Sequence, residues 1–144
     1  MLYILKKLTM LLQSNTLRLM VPKELSEIVQ HLENGDVEIS PNTIGLYKTK
    51  SDSYIVNHIW SISFTEEAKT HKVLNAKILD FLLDNQNLIP EEWKQQKRIF
   101  FIGTIYEWAY GMMHARCLIW NGSKWESSSS SLAWGEDPVA IYLN

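Results

Sequence analysis

The stretch Ile119–Trp134, IWNGSKWESSSSSLAW, decides the fold, because it joins a turn signal to five consecutive serines. An Asn-Gly pair between apolar residues is typical of a tight β-hairpin, since both central residues of a type I′ turn need positive φ. A serine run is also compatible with a linker. The residues that follow are apolar enough to pack, however, and we expect Leu132 and Trp134 to return to the core. We therefore predict that the serines continue a β-strand.

The loop length of this hairpin sets its register. A two-residue loop at Asn121-Gly122, which we expect, places Glu126 opposite Cys117. A four-residue loop over residues 121–124 would place Glu126 opposite Ile119 instead. Because serine is a mediocre strand residue, we expect the serine strand to lie at an edge or to face solvent.

Upstream of the hairpin, several segments have helical patterns. In VPKELSEIVQHLENG, residues 21–35, apolar side chains at i, i+3, i+4 and i+7 from Leu25 make one helical stripe. A second stripe runs from Val73 to Leu83, and Pro90 is expected to open a short helical turn. The predicted strands are 36–40, 43–49, 53–64, 98–106 and 113–120.

The segment RIFFIGTIY, residues 98–106, is apolar on both faces, which indicates a central strand. Gly103 inside it indicates a close approach by another backbone, or a bulge. Together these patterns predict an α+β fold that forms a single domain over residues 1–144. An antiparallel sheet of about five or six strands, ending in a C-terminal β-meander, would pack against two or three helices.

Composition excludes several classes of protein. The chain has 144 residues, 46% of them hydrophobic, and a net charge of −2, so it has no basic field to hold a nucleic acid. Cys117 is the single cysteine, which excludes an internal disulfide and favours a cytoplasmic location.

The N-terminal segment MLYILKKLTMLLQSN is apolar but carries two lysines. We expect it to form an amphipathic helix that docks on the domain, with an interfacial membrane anchor as the alternative. No apolar run approaches the roughly 20 residues of a membrane span. The natural start stays open between Met1, Met10 and Met20.

No motif in the sequence indicates a catalytic site, a metal site or a cofactor. The four histidines lack the spacing of converging metal ligands. We expect His58 to be a core histidine on the apolar face of its strand, and Cys117 to be buried as a small hydrophobe. Arg116 is expected to form a cross-strand polar pair with a carboxylate or a serine.

Five tryptophans lie within residues 93–134, and two interpretations of them stay open. In the structural one, a thin sheet uses tryptophan to cover the edge of its core. In the functional one, they form an exposed aromatic platform that stacks on a base, a sugar or a partner protein. The candidate binding residues are Trp108, Tyr110, Arg116, Trp120, Lys124 and Trp125.

Three segments of the C-terminal half resemble a pattern found in small stand-alone bacterial proteins. They are LNAKILDFLLDNQNLIPEEWK, IFFIGTIY and RCLIWNGSKW, and the similarity covers Leu74 to Trp134. In the proteins that the chain resembles, the strand after the Asn-Gly turn is rich in aromatics, whereas serines 127–131 occupy that place here. The resemblance implies a bacterial single-domain protein and carries no catalytic residue to this chain.

These observations favour a small bacterial non-enzymatic protein. We expect it to bind a protein partner through its aromatic C-terminal sheet and the 106–112 turn, with self-association also open. The first alternative is a ligand-binding module for a nucleotide, a single-stranded nucleic acid or a glycan, among which the net charge disfavours nucleic acid. The second is a small enzyme that uses His58 or His114 with a carboxylate.

Overall fold

The computed structural model describes residues 10–25, 27–48, 70–108, 111–131 and 137–143, and this part of the chain is mostly β. Its strands are β1 Met10–Gln13, β2 Glu27–His31, β3 Asp36–Ile39, β4 Ile44–Tyr47, β5 Ile99–Phe100, β6 Thr104–Trp108, β7 Met112–Trp120, β8 Trp125–Ser131 and β9 Val139–Tyr142. The helix α1 spans Ala76–Asp84, and single 3-10 turns cover Ser14–Thr16, Gln86–Leu88 and Glu91–Gln95.

The strands form two sheets. Strands β1 and β3 make a small antiparallel pair. The large sheet has seven strands in the order β2-β6-β7-β5-β9-β4, and β8 pairs with β7. It is a mixed sheet, because β5 runs parallel to β9 while the other pairs are antiparallel.

The expected α+β fold, with an antiparallel sheet and two or three helices, is therefore wrong in two respects. The described residues contain one α-helix, and the sheet is mixed. The main error is residues 21–35, which were expected to form a helix but contain β2. There Leu25 and Ile28 pack with Tyr106 on one side of the sheet, whereas Leu32 packs with Ile105 on the other. Pairing with β6 satisfies the backbone in this arrangement, so tertiary contacts override the helical spacing.

The central position predicted for residues 98–106 is confirmed. Strands β5 and β6 both pair with β7. The single strand predicted over 98–106 is wrong, however, because residues 101–103 between β5 and β6 leave the regular ladder. At this interruption the Gly103 N–H donates to the Leu74 carbonyl (2.9 Å), and the Gly103 carbonyl accepts from the Leu32 N–H (2.7 Å). The close backbone approach predicted at Gly103 is therefore confirmed.

Helix α1 begins at Ala76, three residues after the predicted start at Val73. Val73 instead forms a β-bridge with Ile141 beside β9. Asn75 caps the helix, because its side-chain oxygen accepts from the Ile78 N–H at 3.2 Å. Pro90 precedes a helical turn, as predicted. Among the residues that the structure describes, no helix is long and apolar enough to cross a membrane.

The two faces of the large sheet bury different clusters. The helix face carries Leu118 and Trp125, which pack with Ile78 of α1. The far face carries Ala115 and Cys117, which pack in a separate cluster. Cys117 is fully buried, as predicted, and burial is the largest cause that raises the pKa of its thiol to about 11.

The serine strand is confirmed as β8, but the expected two-residue loop is wrong. Trp120 pairs with Trp125, so the loop holds residues 121–124. The Asn121 side-chain oxygen explains this length, because it accepts from the Ser123 N–H (2.9 Å) and the Lys124 N–H (2.8 Å). This is the four-residue register, with Glu126 opposite Ile119.

Strands predicted at 36–40 and 43–49 are confirmed as β3 and β4. The strand predicted at 53–64 and the return of Leu132 and Trp134 to the core lie outside the described residues. The amphipathic helix expected for the N-terminal segment is wrong in its described part, because Met10–Gln13 form β1 and Ser14–Thr16 form a 3-10 turn. Residues 1–9 of that segment lie outside the described residues.

We predict that Gly103→Ala lowers the free energy of unfolding by about 1–3 kcal/mol, the usual cost of overpacking. An added Cβ would lie 2.8 Å from Cα and N of Asn75, and neither backbone atom can move without displacing the start of α1. Urea unfolding checks this.

The matched control for this experiment is Gly45→Ala. The three atoms nearest to its added Cβ all belong to the side chain of Leu143, which is 58% exposed and therefore able to move. We expect Gly45→Ala to stay within about 1 kcal/mol of the parent protein. Equal destabilisation by the two substitutions would contradict a special role for Gly103.

Candidate functional site

Arg116 is buried under α1 and does not belong to an exposed platform. Its two terminal nitrogens donate to the two carboxylate oxygens of Asp80, at 2.9 and 2.8 Å, and the guanidinium also lies 3.4 Å from the Ser127 hydroxyl. Burial by itself would lower the pKa of Arg116, but the hydrogen bonds and negative charge of Asp80 outweigh it and raise the pKa. The polar partner expected for Arg116 is therefore a carboxylate on the helix, with the cross-strand serine as a weaker contact.

The tryptophan candidates are separated along β7. Trp125 is 4% exposed and lies in the core. Trp120 is half-buried, with its ring 5.5 Å from that of Trp125 and the Lys94 ammonium 4.2 Å above it. Trp108 stacks on His114 near the other end of the strand, at 5.4 Å. Trp108 pairs with Met112, the first residue of β7, whereas Trp120 is the last residue of that strand. Eight residues of β-strand span roughly 27 Å, so the rings of Trp108 and Trp120 do not form one platform.

The remaining candidates fall in loops. Lys124 is exposed at the end of the 121–124 loop, whereas Arg116 is buried. Tyr110 lies outside the described residues. The six predicted binding residues are therefore not brought together by the described part of the structure.

The enzyme hypothesis depends on His58 or His114. His58 lies outside the described residues. Burial lowers the pKa of His114, and its Nδ1 has no hydrogen-bond partner within the described ranges. No group of three His, Cys, Asp or Glu side chains in those ranges could hold a metal ion.

A hydrogen-bonded chain that the sequence did not reveal lies at the start of α1. His31 Nδ1 is 2.8 Å from the Thr104 hydroxyl, and His31 Nε2 is 2.6 Å from Glu33. The ammonium of Lys77, only 7% exposed, donates to the same carboxylate at 2.9 Å. No local signal could have found it, because His31 and Thr104 are 73 residues apart and His31 was expected to lie in a helix.

The chain of hydroxyl, imidazole and carboxylate has the connectivity that hydrolases use for nucleophilic attack. Here, however, Thr104 is fully buried, and its oxygen accepts the Ala76 N–H at 2.9 Å. Because an ionised carboxylate can only accept, the hydrogen bond between His31 and Glu33 is donated by His31 Nε2–H. The network therefore ties β2 and β6 to the helix start and offers no accessible nucleophile.

Burial acts in one direction on the pKa of Glu33, whereas its hydrogen bonds and the neighbouring positive charges act in the other. Burial by itself would raise its pKa, but the hydrogen bonds from Lys77 and His31, with their positive charges, outweigh burial and hold the pKa below the usual 4.5. A lowered pKa means that the ionised carboxylate stabilises the fold above about pH 4.5, and that this contribution is lost as the pH falls further.

The outer edge of β8 is only partly occupied. In an antiparallel strand, alternate residues direct N–H and C=O groups to the same edge. At Trp125 both outward groups are bonded by the side-chain amide of Gln86, at 2.9 and 3.0 Å. The alternation makes Ser127, Ser129 and Ser131 the next outward residues, and no described residue bonds their outward backbone groups.

No protein-family model matches the chain, and neither does any curated protein or solved structure.

We predict that Asp80→Asn lowers the free energy of unfolding by about 3 kcal/mol, because it leaves Arg116 buried without a counter-charge. Chemical denaturation measures the change. The control is Glu91→Gln, which breaks the exposed pair between Glu91 and Lys94 and should cost less than about 1 kcal/mol. Similar costs for both substitutions would show that Arg116 does not need Asp80.

We also predict that Glu33→Gln destabilises the protein most near neutral pH. Its difference from the parent protein should shrink as the pH falls below about 4.5, since the parent then loses the same charge. Urea midpoints from about pH 7 down to about pH 3 measure this convergence. Glu24→Gln, at an exposed site, serves as the control. A constant gap across this range would refute the role assigned to the Glu33 charge.

Proposed function

We propose that this chain is a non-enzymatic protein-interaction module, in which β8 accepts an extended segment of another protein as an additional strand. The observation that supports this most directly is the outer edge at Ser127, Ser129 and Ser131, whose outward backbone groups are bonded by no other described residue. Three outward residues offer six backbone hydrogen-bonding groups, which is the recognition chemistry of strand addition.

The composition of β8 supports the same function. Proteins usually protect a sheet edge with lysine, proline, a bulge or a very short strand. Strand β8 has seven residues, from Trp125 to Ser131, contains neither lysine nor proline, and pairs with β7 without a register shift. Its small serine side chains leave the backbone accessible to a second strand, while their polarity disfavours non-specific association.

The two ends of this edge favour a particular partner chemistry. Lys124 is exposed before the start of β8, and Glu126 is already engaged by the Asn121 amide at 2.7 Å. At the far end, Ser131 pairs with His114, close to Met112, which is 44% exposed. The predicted 106–112 turn is shorter than expected, because residues 106–108 belong to β6 and Met112 begins β7. The partner segment should therefore carry an acidic residue at the Lys124 end and an apolar residue at the Met112 end.

We predict that a synthetic seven-residue Val/Thr peptide, with glutamate at one end and leucine at the other, binds this edge. NMR shifts should localise to the amides of Ser127, Ser129 and Ser131, and their hydrogen exchange should slow. The same peptide with N-methylated backbone nitrogens should not bind, because it cannot form the ladder. Equal binding of both peptides would exclude strand addition.

Ser129→Pro tests the edge directly. It removes an outward N–H and leaves the inward ladder with β7 complete, so the hairpin should still fold. Peptide affinity should fall by about tenfold or more, whereas Ser129→Ala, which keeps the N–H, should bind like the parent. Unchanged peptide affinity in Ser129→Pro would overturn the proposal. Concentration-dependent dimers of the parent protein that Ser129→Pro abolishes would also overturn it, because the added strand would then come from a second copy of the chain.

A further inference from the structure

A cleft of about 510 Å³ lies between residues 17–22 and the outward side of α1. This volume is within the range of small-molecule sites, about 300–1,000 Å³. Its lining includes Leu17, Arg18, Met20, Asp80, Phe81 and Asp84.

The cleft is already shaped in this structure. The Tyr106 hydroxyl donates to the Met20 carbonyl at 3.0 Å, which fixes the 17–22 wall against the sheet. The opposite wall is the rigid helix, on which Asp80 and Asp84 lie one turn apart and share a face. A ligand would therefore meet a preformed site and not have to order a loop.

Two of the cationic groups in the cleft are neutralised by partners within the protein. Arg116 is paired with Asp80, and Lys77 is paired with Glu33. Two charges of opposite sign then remain, Arg18 and Asp84, both exposed and neither in a salt bridge with another described residue. The cleft thus has one cationic and one anionic position without a counter-charge.

The acidic side of the cleft has two carboxylates, Asp80 and Asp84, and so offers more hydrogen-bond acceptors than one surface carboxylate would. Asp80 is 32% exposed and held in place by Arg116, and its two oxygens retain acceptor capacity beyond their bonds to the guanidinium. Together with Asp84 it offers acceptors for an ammonium group. The half-buried side chains of Leu17 and Phe81, with the exposed Met20, provide apolar surface in the same cleft.

We infer that this cleft binds a small zwitterion with an apolar side chain, the chemistry of a free amino acid such as leucine, methionine or phenylalanine. The ammonium contacts Asp80 and Asp84, the carboxylate contacts Arg18, and the apolar side chain packs on Phe81 and Leu17. No residue of β8 lines this cleft, and the inference does not depend on strand addition at β8.

Calorimetric titration of the full chain with L-leucine, leucinamide and N-acetyl-leucine tests the inference. Leucine should bind saturably, whereas leucinamide, which lacks the carboxylate, and N-acetyl-leucine, which lacks the ammonium, should each bind about tenfold more weakly. Equal affinity for all three compounds would mean that apolar contact alone governs binding. The absence of saturable leucine binding at millimolar concentration would overturn the site outright.

Charge variants assign the two ends of the ligand. Arg18→Gln should abolish the preference for leucine over leucinamide, and Asp84→Asn should reduce the preference over N-acetyl-leucine. Lys23→Gln and Glu24→Gln are the matched controls, because they change the same charges on exposed residues near the cleft that do not line it. Loss of leucine binding in the controls to the same degree would show a general charge effect and refute the assignment.

Discussion

The rest of the structure depends on the backbone contact at Gly103. Its N–H and C=O bond to Leu74 and Leu32, so one residue joins the central strand to the segment before α1 and to the segment after β2. The backbones approach closely enough that a Cβ at this position would lie 2.8 Å from Asn75. The same contact places Thr104 beside the first N–H of the helix and so aligns the helix with the sheet.

Polar groups then hold the helix over its sheet. Arg116 and Asp80 form a bidentate pair near the middle of α1, while the network of His31, Glu33 and Lys77 holds its start. Buried polar groups of this kind must be satisfied together, because each unpaired member costs more than its bond contributes. They therefore act on the position of the helix, and the surfaces that we propose for recognition are the edge of β8 and the cleft beside α1.

The sequence predicted that the serine strand β8 lies at an edge or faces solvent, but it did not predict which residues surround that strand. Tryptophan composition suggested one platform, whereas β7 separates Trp108 from Trp120 and the fold buries Trp125. The Gln86 amide that bonds the edge at Trp125 comes from a turn 39 residues earlier. The cleft was not foreseen at all, because its two walls come from segments that sequence patterns treat separately.

The sequence by itself determined the features that depend on local chemistry: a reversal at Asn121-Gly122, a serine strand after it, the central position of residues 98–106 and a close approach at Gly103. Tertiary structure alone decided that residues 27–31 form a strand, that Asp80 pairs with Arg116 and that β5 runs parallel to β9. The physical reason is distance along the chain. Periodicity and turn preference act over a few residues, whereas strand partners and buried ion pairs are chosen by segments that meet only when the whole sheet assembles.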